Sequence, residues 1–185
     1  MIYVFLATGF EEIEALAPID IMRRAGLDVA TVSINAEKAV VGAHGVPVVA
    51  DILLDEVDFE AAEMIVLPGG LPGSTNLDAC ESLREGIRRA YADDKSLAAI
   101  CAAPMVYGHM GLLSGRRATC YPGCEGHMEG AEYTAAIVEE DGPFITGRGP
   151  AAALDFGYAL VERILGEGAS LPLREGMMYS QLMAR

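Results

Sequence analysis

No apolar run in this chain exceeds the length of a strand, so no membrane-spanning helix is expected. Basic residues are scarce: 13 Lys and Arg stand against 27 Asp and Glu, a formal net charge of −14. That balance argues against nucleic acid and anionic membrane surfaces as partners, and makes a large anionic substrate a poor expectation. The N-terminus has no basic stretch, so Met1-Ile2-Tyr3-Val4-Phe5-Leu6 reads as a first strand and not as a signal peptide. Cys80, Cys101, Cys120 and Cys124 make no close-spaced disulfide framework, and without a secretion signal a reducing cytoplasm is the expected compartment. Cys120-x-x-x-Cys124 followed by His127 lacks a second ligand pair, so no metal is expected there. A dinucleotide loop is missing as well. Where Gly-x-Gly-x-x-Gly would stand, the chain has Gly9-Phe10-Glu11-Glu12-Ile13-Glu14, one glycine followed by acids.

What is present is a globular composition, 52% hydrophobic over 185 residues, enough for one domain with a real core. Short apolar runs alternate with helical patterns. Strands are expected at residues 2–7, 28–34, 64–67, 97–100 and 118–121, with short strands around a turn at 40–50, at a sheet edge. A hairpin is expected from 135–139 and 144–146 around Asp141-Gly142. Helices are expected at 11–25, from Pro104 to about residue 110, and from Gly149-Pro150 onward with Leu154, Tyr158, Val161 and Leu165 buried. A further helix follows Ser74, Thr75 and Asn76, with a stripe of Leu77, Cys80, Arg84, Ile87 and Tyr91. The tail carries Met177, Met178 and Met183, suited to capping the core or joining a subunit interface. Repeated strand–helix units predict a mostly parallel sheet with helices on both faces. Ligands bind beyond the carboxyl ends of such strands, so the loops at 8–14, 68–74 and 101–104 should meet.

Cys101 stands out among those loops. The buried strand Leu97-Ala98-Ala99-Ile100 runs straight into Cys101-Ala102-Ala103-Pro104, and Pro104 suits the first turn of a helix. A strand-to-helix turn of this kind is a nucleophile elbow, which lifts the side chain above the sheet and favours a thiolate. Glu11, Glu12 and Glu14 follow the first strand, and one of them can reach the cysteine; spacing does not choose among them. A carboxyl beside a thiolate shares one proton with it, which predicts a raised acid and a lowered thiol. Gly69 and Gly70 allow close backbone approach and, with the Ala102 N–H, can form an oxyanion hole. Tyr121, His44 and Arg148 are candidates to line the pocket. His109 suits a helix end, and His127 a glycine-rich loop.

Four ordered segments carry a resemblance: Glu11-Glu12-Ile13-Glu14, Val66-Leu67-Pro68-Gly69-Gly70, Ala98-Ala99-Ile100-Cys101-Ala102-Ala103-Pro104 and Thr146-Gly147-Arg148-Gly149-Pro150. Together they resemble the ThiJ/PfpI superfamily, nearest its Parkinson-disease-associated deglycase (DJ-one) branch, from Ile2 to about Leu165. The resemblance implies a flavodoxin-like three-layer α/β/α sandwich, related to class I glutamine amidotransferases, and a homodimer. It implies that Cys101 is the reactive, oxidation-sensitive cysteine, Glu14 its protonated partner, and Gly70 and Ala102 the oxyanion donors. It further implies cofactor-free glyoxalase or deglycase activity on methylglyoxal, a small reactive aldehyde, or on its adducts. The alternatives are a redox-responsive stress-protection or chaperone-like protein and a different cysteine hydrolase. Peptidase activity is not expected, because Ala102 stands where the protease-labelled branch has a histidine. Tyr121 replaces a histidine of the animal protein and removes a ready general base.

Overall fold

Runs of Val, Ile and Leu too short for helices set the centre of the molecule. The computed structural model describes residues 1–183. Its strands are β1 (Ile2–Leu6), β2 (Val29–Ser33), β3 (Ala39–Val41), β4 (Pro47–Val49), β5 (Ile52–Leu53), β6 (Met64–Leu67), β7 (Ser96–Ile100), β8 (Arg117–Ala118), β9 (Glu132–Tyr133), β10 (Val138–Asp141) and β11 (Phe144–Gly147). Its helices are α1 (Glu12–Arg24), α2 (Gly73–Ala79), α3 (Glu81–Ala92), α4 (Pro104–His109), α5 (Ala153–Leu165), α6 (Leu171–Gly176) and α7 (Tyr179–Met183).

Seven strands form one sheet in the order β10-β11-β7-β6-β1-β2-β5. Every pairing in it is parallel except β10 with β11. Alternate residues serve opposite cores, as the pleat requires. Ile2, Val4, Leu6, Val66 and Ile100 pack with Ile21, Phe156 and Leu160 of α1 and α5. Tyr3, Phe5, Ile65, Leu67 and Ala99 pack with Leu77, Leu83, Ile87 and Val106 of α2, α3 and α4. The result is a three-layer α/β/α sandwich. Gly157 sets how closely α5 meets α1: a Cβ there would lie 3.1 Å from Pro18 Cα. The helix α1 runs unbroken through that proline.

Several boundaries differ from those the sequence predicts. The helix expected after Ser74 is two helices, broken at Cys80, where ψ is 96°. Arg84, the polar exception on its stripe, donates to the Asp78 carbonyl at 3.3 Å and so ties off the end of α2. The short strands β3 and β4 form their own two-stranded sheet, and β5 is the true edge. The strand expected at 118–121 shrinks to β8, which pairs in parallel with the unforeseen β9. The first hairpin strand shifts to β10, because Ala135 takes a left-handed φ of 54° that an extended strand excludes. On α5 the buried positions include Phe156 and Leu160, and Leu165 is exposed. The Tyr158 hydroxyl meets Met177 Sδ at 3.6 Å, so the tail caps the core there, whereas Met178 and Met183 are exposed.

The neighbours β7, β6 and β1 end side by side, and the loops leaving them are stitched together. The Glu11 N–H donates to Gly69 O at 2.9 Å and the Gly73 N–H to Gly9 O at 3.1 Å. The convergence expected of the three loops is present.

Candidate active site

Cys101 leaves β7 with φ 65°, a left-handed conformation that costs a non-glycine residue about 1–2 kcal/mol. The fold holds it there from both sides. Its N–H donates to Gly147 O at 2.8 Å and its carbonyl accepts from the Tyr121 N–H at 2.8 Å. The side chain is buried but not sealed, with 8% of the residue exposed. The backbone N–H groups of Ala102 and Gly70 face the sulfur and favour its ionised form. Gly70 achieves this at φ 88°, where a Cβ would fall 2.6 Å from Gly9 O. The nearest dipoles at the sulfur are therefore these two peptides, since α4 begins only at Pro104.

The structure gives each acid after β1 a separate task. Glu11 is the N-cap of α1, its Oε2 accepting from the Glu14 N–H at 2.8 Å. Glu12 anchors the turn between β3 and β4: its Oε1 accepts from the His44 N–H at 2.8 Å and its Oε2 meets His44 Nδ1 at 2.8 Å. Glu14 is fully buried, and its Oε2 accepts from the Gly69 N–H at 3.0 Å. Its other oxygen, Oε1, is buried without a hydrogen-bond partner, and the carboxyl lies close enough to Cys101 for each to shift the other's titration. Pro18 and Ile21 lie four and seven positions on, and all three point into the core. Helical phase buries Glu12 as well, in line with Ala15 and Ile19, and depth singles out Glu14, which has no exposed surface.

Burial pushes the Glu14 carboxyl up to about 7, the nearby Glu11 adds to this, and Cys101 and the Gly69 N–H oppose it. Burial also pushes the Cys101 thiol up, and so does the adjacent Glu14 carboxylate; the N–H groups of Ala102 and Gly70 pull it down. The sequence argument expects the acid to rise and the thiol to fall. The acid rises, but the thiol does not fall, because burial and the carboxylate outweigh two peptide dipoles. That raised thiol is one facing an already ionised Glu14. The pair holds one proton near neutrality and releases the second only at much higher pH.

Of the three expected backbone donors, Gly69 is spent on Glu14, leaving Gly70 and Ala102 at the sulfur. Gly69 has a packing role instead, since a Cβ would lie 2.7 Å from Cys101 Cβ and against Glu14 Oε2. His44 turns to Glu12 and is largely exposed. Among the described residues no histidine hydrogen-bonds Cys101. Tyr121 and Arg148 line an apolar groove of about 530 Å³ with Ile137, Pro150, Tyr179 and Leu182. The groove starts at the segments that bracket the Cys101 backbone, and Arg148 Nη1 is held by Ala135 O at 2.8 Å. Glu11, Glu12 and His44 bring ligand-type atoms within 4.8 Å of one another. Their oxygens are largely committed to the cap of α1 and the hairpin turn, which identifies the cluster as a structural anchor.

Burial lifts the Cys120 thiol to about 12, and it lies fully inside. All four cysteines are free. No helix among the described residues is long and apolar enough to cross a membrane.

Comparison with known proteins gives the same picture along most of the chain. The sequence profile described as the DJ-1/PfpI family matches residues 1–163. Protein DJ-1 homolog B of Arabidopsis thaliana is 40% identical over 167 residues, 88% of this chain. The chain spans only 37% of that relative's length. A deglycase of Pyrococcus horikoshii is 32% identical over 148 residues, 78% of this chain and 87% of its own. Among solved structures, a cysteine-to-alanine mutant of a DJ-1 superfamily protein from Salmonella typhimurium superposes with a TM-score of 0.91 at 37% identity, covering 96% of this chain and 97% of that one.

Proposed function

The chain belongs to the DJ-1/PfpI family, and from that premise we propose that it is a cofactor-free hydrolase of the glyoxalase and deglycase kind, with Cys101 as nucleophile and methylglyoxal or its adducts as substrate. The observation that carries this reading is the left-handed Cys101 at the end of β7 with the fully buried Glu14 carboxyl packed beside it across Gly69, one of its oxygens left without a partner. The similarity to a protein named a deglycase supports the substrate class.

The chemistry needs one mobile proton, which the pair provides. With the proton on Glu14, the sulfur attacks the aldehyde carbon of methylglyoxal and a C–S bond forms. Glu14 protonates the new alkoxide, giving a thiohemiacetal. The Glu14 carboxylate next takes a proton from that carbon, leaving an enediolate, and returns it to the neighbouring carbon, while the hydroxyl proton passes from the first oxygen to the second. One carbon is oxidised as the other is reduced, and the product is a lactoyl thioester with no external electron carrier. Water cleaves the C–S bond, lactate leaves, and the pair recovers its shared proton. The Ala102 and Gly70 N–H groups beside the sulfur are the donors this mechanism uses for the oxyanion. Tyr121 offers no imidazole, so Glu14 carries every proton transfer. Lactate formation from methylglyoxal by the intact protein and by Cys101→Ser is the test: loss in the variant is expected, and equal rates remove Cys101 from the mechanism.

A second reading uses the same donors. A sulfinate at Cys101 would be held by the protonated Glu14 and the two peptides, which favours an oxidation-responsive role in stress protection. Mild peroxide should give an intact mass higher by about 32 Da, and this species should be lost in Glu14→Ala. Its persistence in that variant contradicts the partnership.

The chain acts in this reading as one domain and as a homodimer. Ile13 and Leu16 on α1, and Val46 and Val49 on the hairpin that Glu12 ties to α1, are exposed apolar side chains suited to burial against a second copy. Light scattering should return twice the 19.5 kDa chain mass. A reducing cytoplasm suits its free cysteines.

A further inference from the structure

Three residues far apart in sequence form a hydrogen-bonded row away from Cys101. Asp78 Oδ2 meets His109 Nδ1 at 2.8 Å, and His109 Nε2 meets His127 Nδ1 at 3.0 Å. They come from α2, from the last turn of α4 and from a single 3-10 turn, Glu125–His127. Sequence alone gives His109 a helix end and His127 a loop, because nothing local brings them together.

The order of contacts fixes the chemistry. A carboxylate only accepts, so Asp78 holds the proton of His109 on Nδ1, and the Nε2 lone pair accepts from His127 Nδ1–H, the proton an incoming metal ion would displace. Asp78 is in turn fixed by Arg84, whose Nη1 lies 2.5 Å from its Oδ1. A carboxylate behind an imidazole is the arrangement that orients a metal-binding histidine. Two imidazoles on a tetrahedral ion at about 2.0–2.1 Å stand about 3.3 Å apart. The two nitrogens here already converge at 3.0 Å, so a few tenths of an ångström admits an ion. His127 lies on an exposed turn. Gly108 of α4 packs closely on the His127 carbonyl and holds that backbone, so the adjustment falls to the exposed His127 ring.

We propose that His109 Nε2 and His127 Nδ1 form a binding site for a divalent transition-metal ion of the zinc kind, with Asp78 as the carboxylate behind His109. The concavity of about 730 Å³ around the two rings is also lined by Glu129 and Ser114. It has room for water molecules to complete the coordination. Imidazole donors select zinc, copper or nickel over magnesium or calcium. The formal charge of −14 draws cations to the surface. Cys120 and Cys124 are not needed: Cys120 is fully buried, and His127 turns its Nδ1 to His109.

The test is Zn²⁺ titration by calorimetry on the full chain carrying Cys101→Ser, which removes the reactive thiol. One equivalent should bind. His109→Ala and His127→Ala should each abolish it, Asp78→Asn should weaken it by about 10- to 100-fold, and His44→Ala should leave it unchanged. The Co²⁺ complex should lack the intense near-ultraviolet band of a thiolate ligand. Imidazole NMR on the unaltered protein gives an answer that survives a misfolded variant: Zn²⁺ should shift His109 and His127 and not His44. No binding at millimolar Zn²⁺, binding that survives both histidine variants, a thiolate band, or shifts confined to His44 overturns the proposal.

Discussion

Replacing Glu14 with Gln should make stability less dependent on pH, with the largest effect near neutrality. Glu14 is fully buried, and its carboxyl rises from an ordinary 4.5 to about 7 in the folded chain. Below 4.5 the folded and unfolded chains both hold the proton and the residue costs nothing. Between 4.5 and about 7 the unfolded chain loses it while the folded chain keeps it, so stability falls as pH rises and is level above that window. At about 1.4 kcal/mol for each tenfold, the gap amounts to about 3 kcal/mol. For a chain of this size that corresponds to roughly 6–12 °C in Tm. Gln keeps an acceptor for the Gly69 N–H and offers an N–H to the sulfur, but it does not titrate. Urea unfolding of both proteins from about pH 4 to about pH 8 should show the wild type losing ground to Glu14→Gln by about 3 kcal/mol across the window. Parallel curves would refute the reasoning, and so would a wild type that gains on the variant as pH rises.

Gly69→Ala should cost about 1–3 kcal/mol in the same assay, because its Cβ meets Cys101 Cβ and Ile100 O. Gly126→Ala, with open space around it and no left-handed φ, is the control for adding a Cβ without a clash. Cys101→Gly should be more stable than Cys101→Ala by up to ~1 kcal/mol, because relief at φ 65° exceeds the added freedom of the unfolded chain; the reverse order would deny strain at the elbow. His44→Ala should speed amide exchange at residues 42–49 by removing the Glu12 contact. In the wild type, the partner raises the His44 ring above its ordinary 6.5 and the Glu12 carboxyl lies below its ordinary 4.5. The charged part of that protection should therefore fade as pH climbs through the raised histidine value, and again in acid as Glu12 protonates. Exchange that is unchanged by the substitution and flat with pH would separate the hairpin from Glu12.

The elements that carry Cys101 are legible because local pattern and global position agree. An apolar strand, a cysteine and a proline at the right offset admit few other structures. Glu14 is only half legible. Three acids in four positions look alike, and helical phase counted along α1 buries both Glu12 and Glu14, so the choice between them waits on which one faces Cys101. Other features lie beyond local reading. The break at Cys80 depends on Arg84 reaching back to Asp78, and the place of β10 depends on the turn at Ala135. The row from Asp78 to His127 joins positions 31 and 18 residues apart, which no spacing rule connects. The thiol is legible only in part, for a different reason. A peptide dipole can be inferred from an elbow, but the depth at which the sulfur sits is set by packing across three loops.

The two ends of the seven-stranded sheet bear on how this molecule can fail. At one end β5 offers only two residues, too few to template a new strand. At the other, β10 reads Val138-Glu139-Glu140-Asp141, and its acids are engaged by Arg117, Arg163 and Arg116 from flanking segments. A foreign strand arriving there would have to break ion pairs before it gained a ladder bond. Fibril growth by edge addition is thereby shut off in the native state, and aggregation on heating should track the global loss of structure and not precede it.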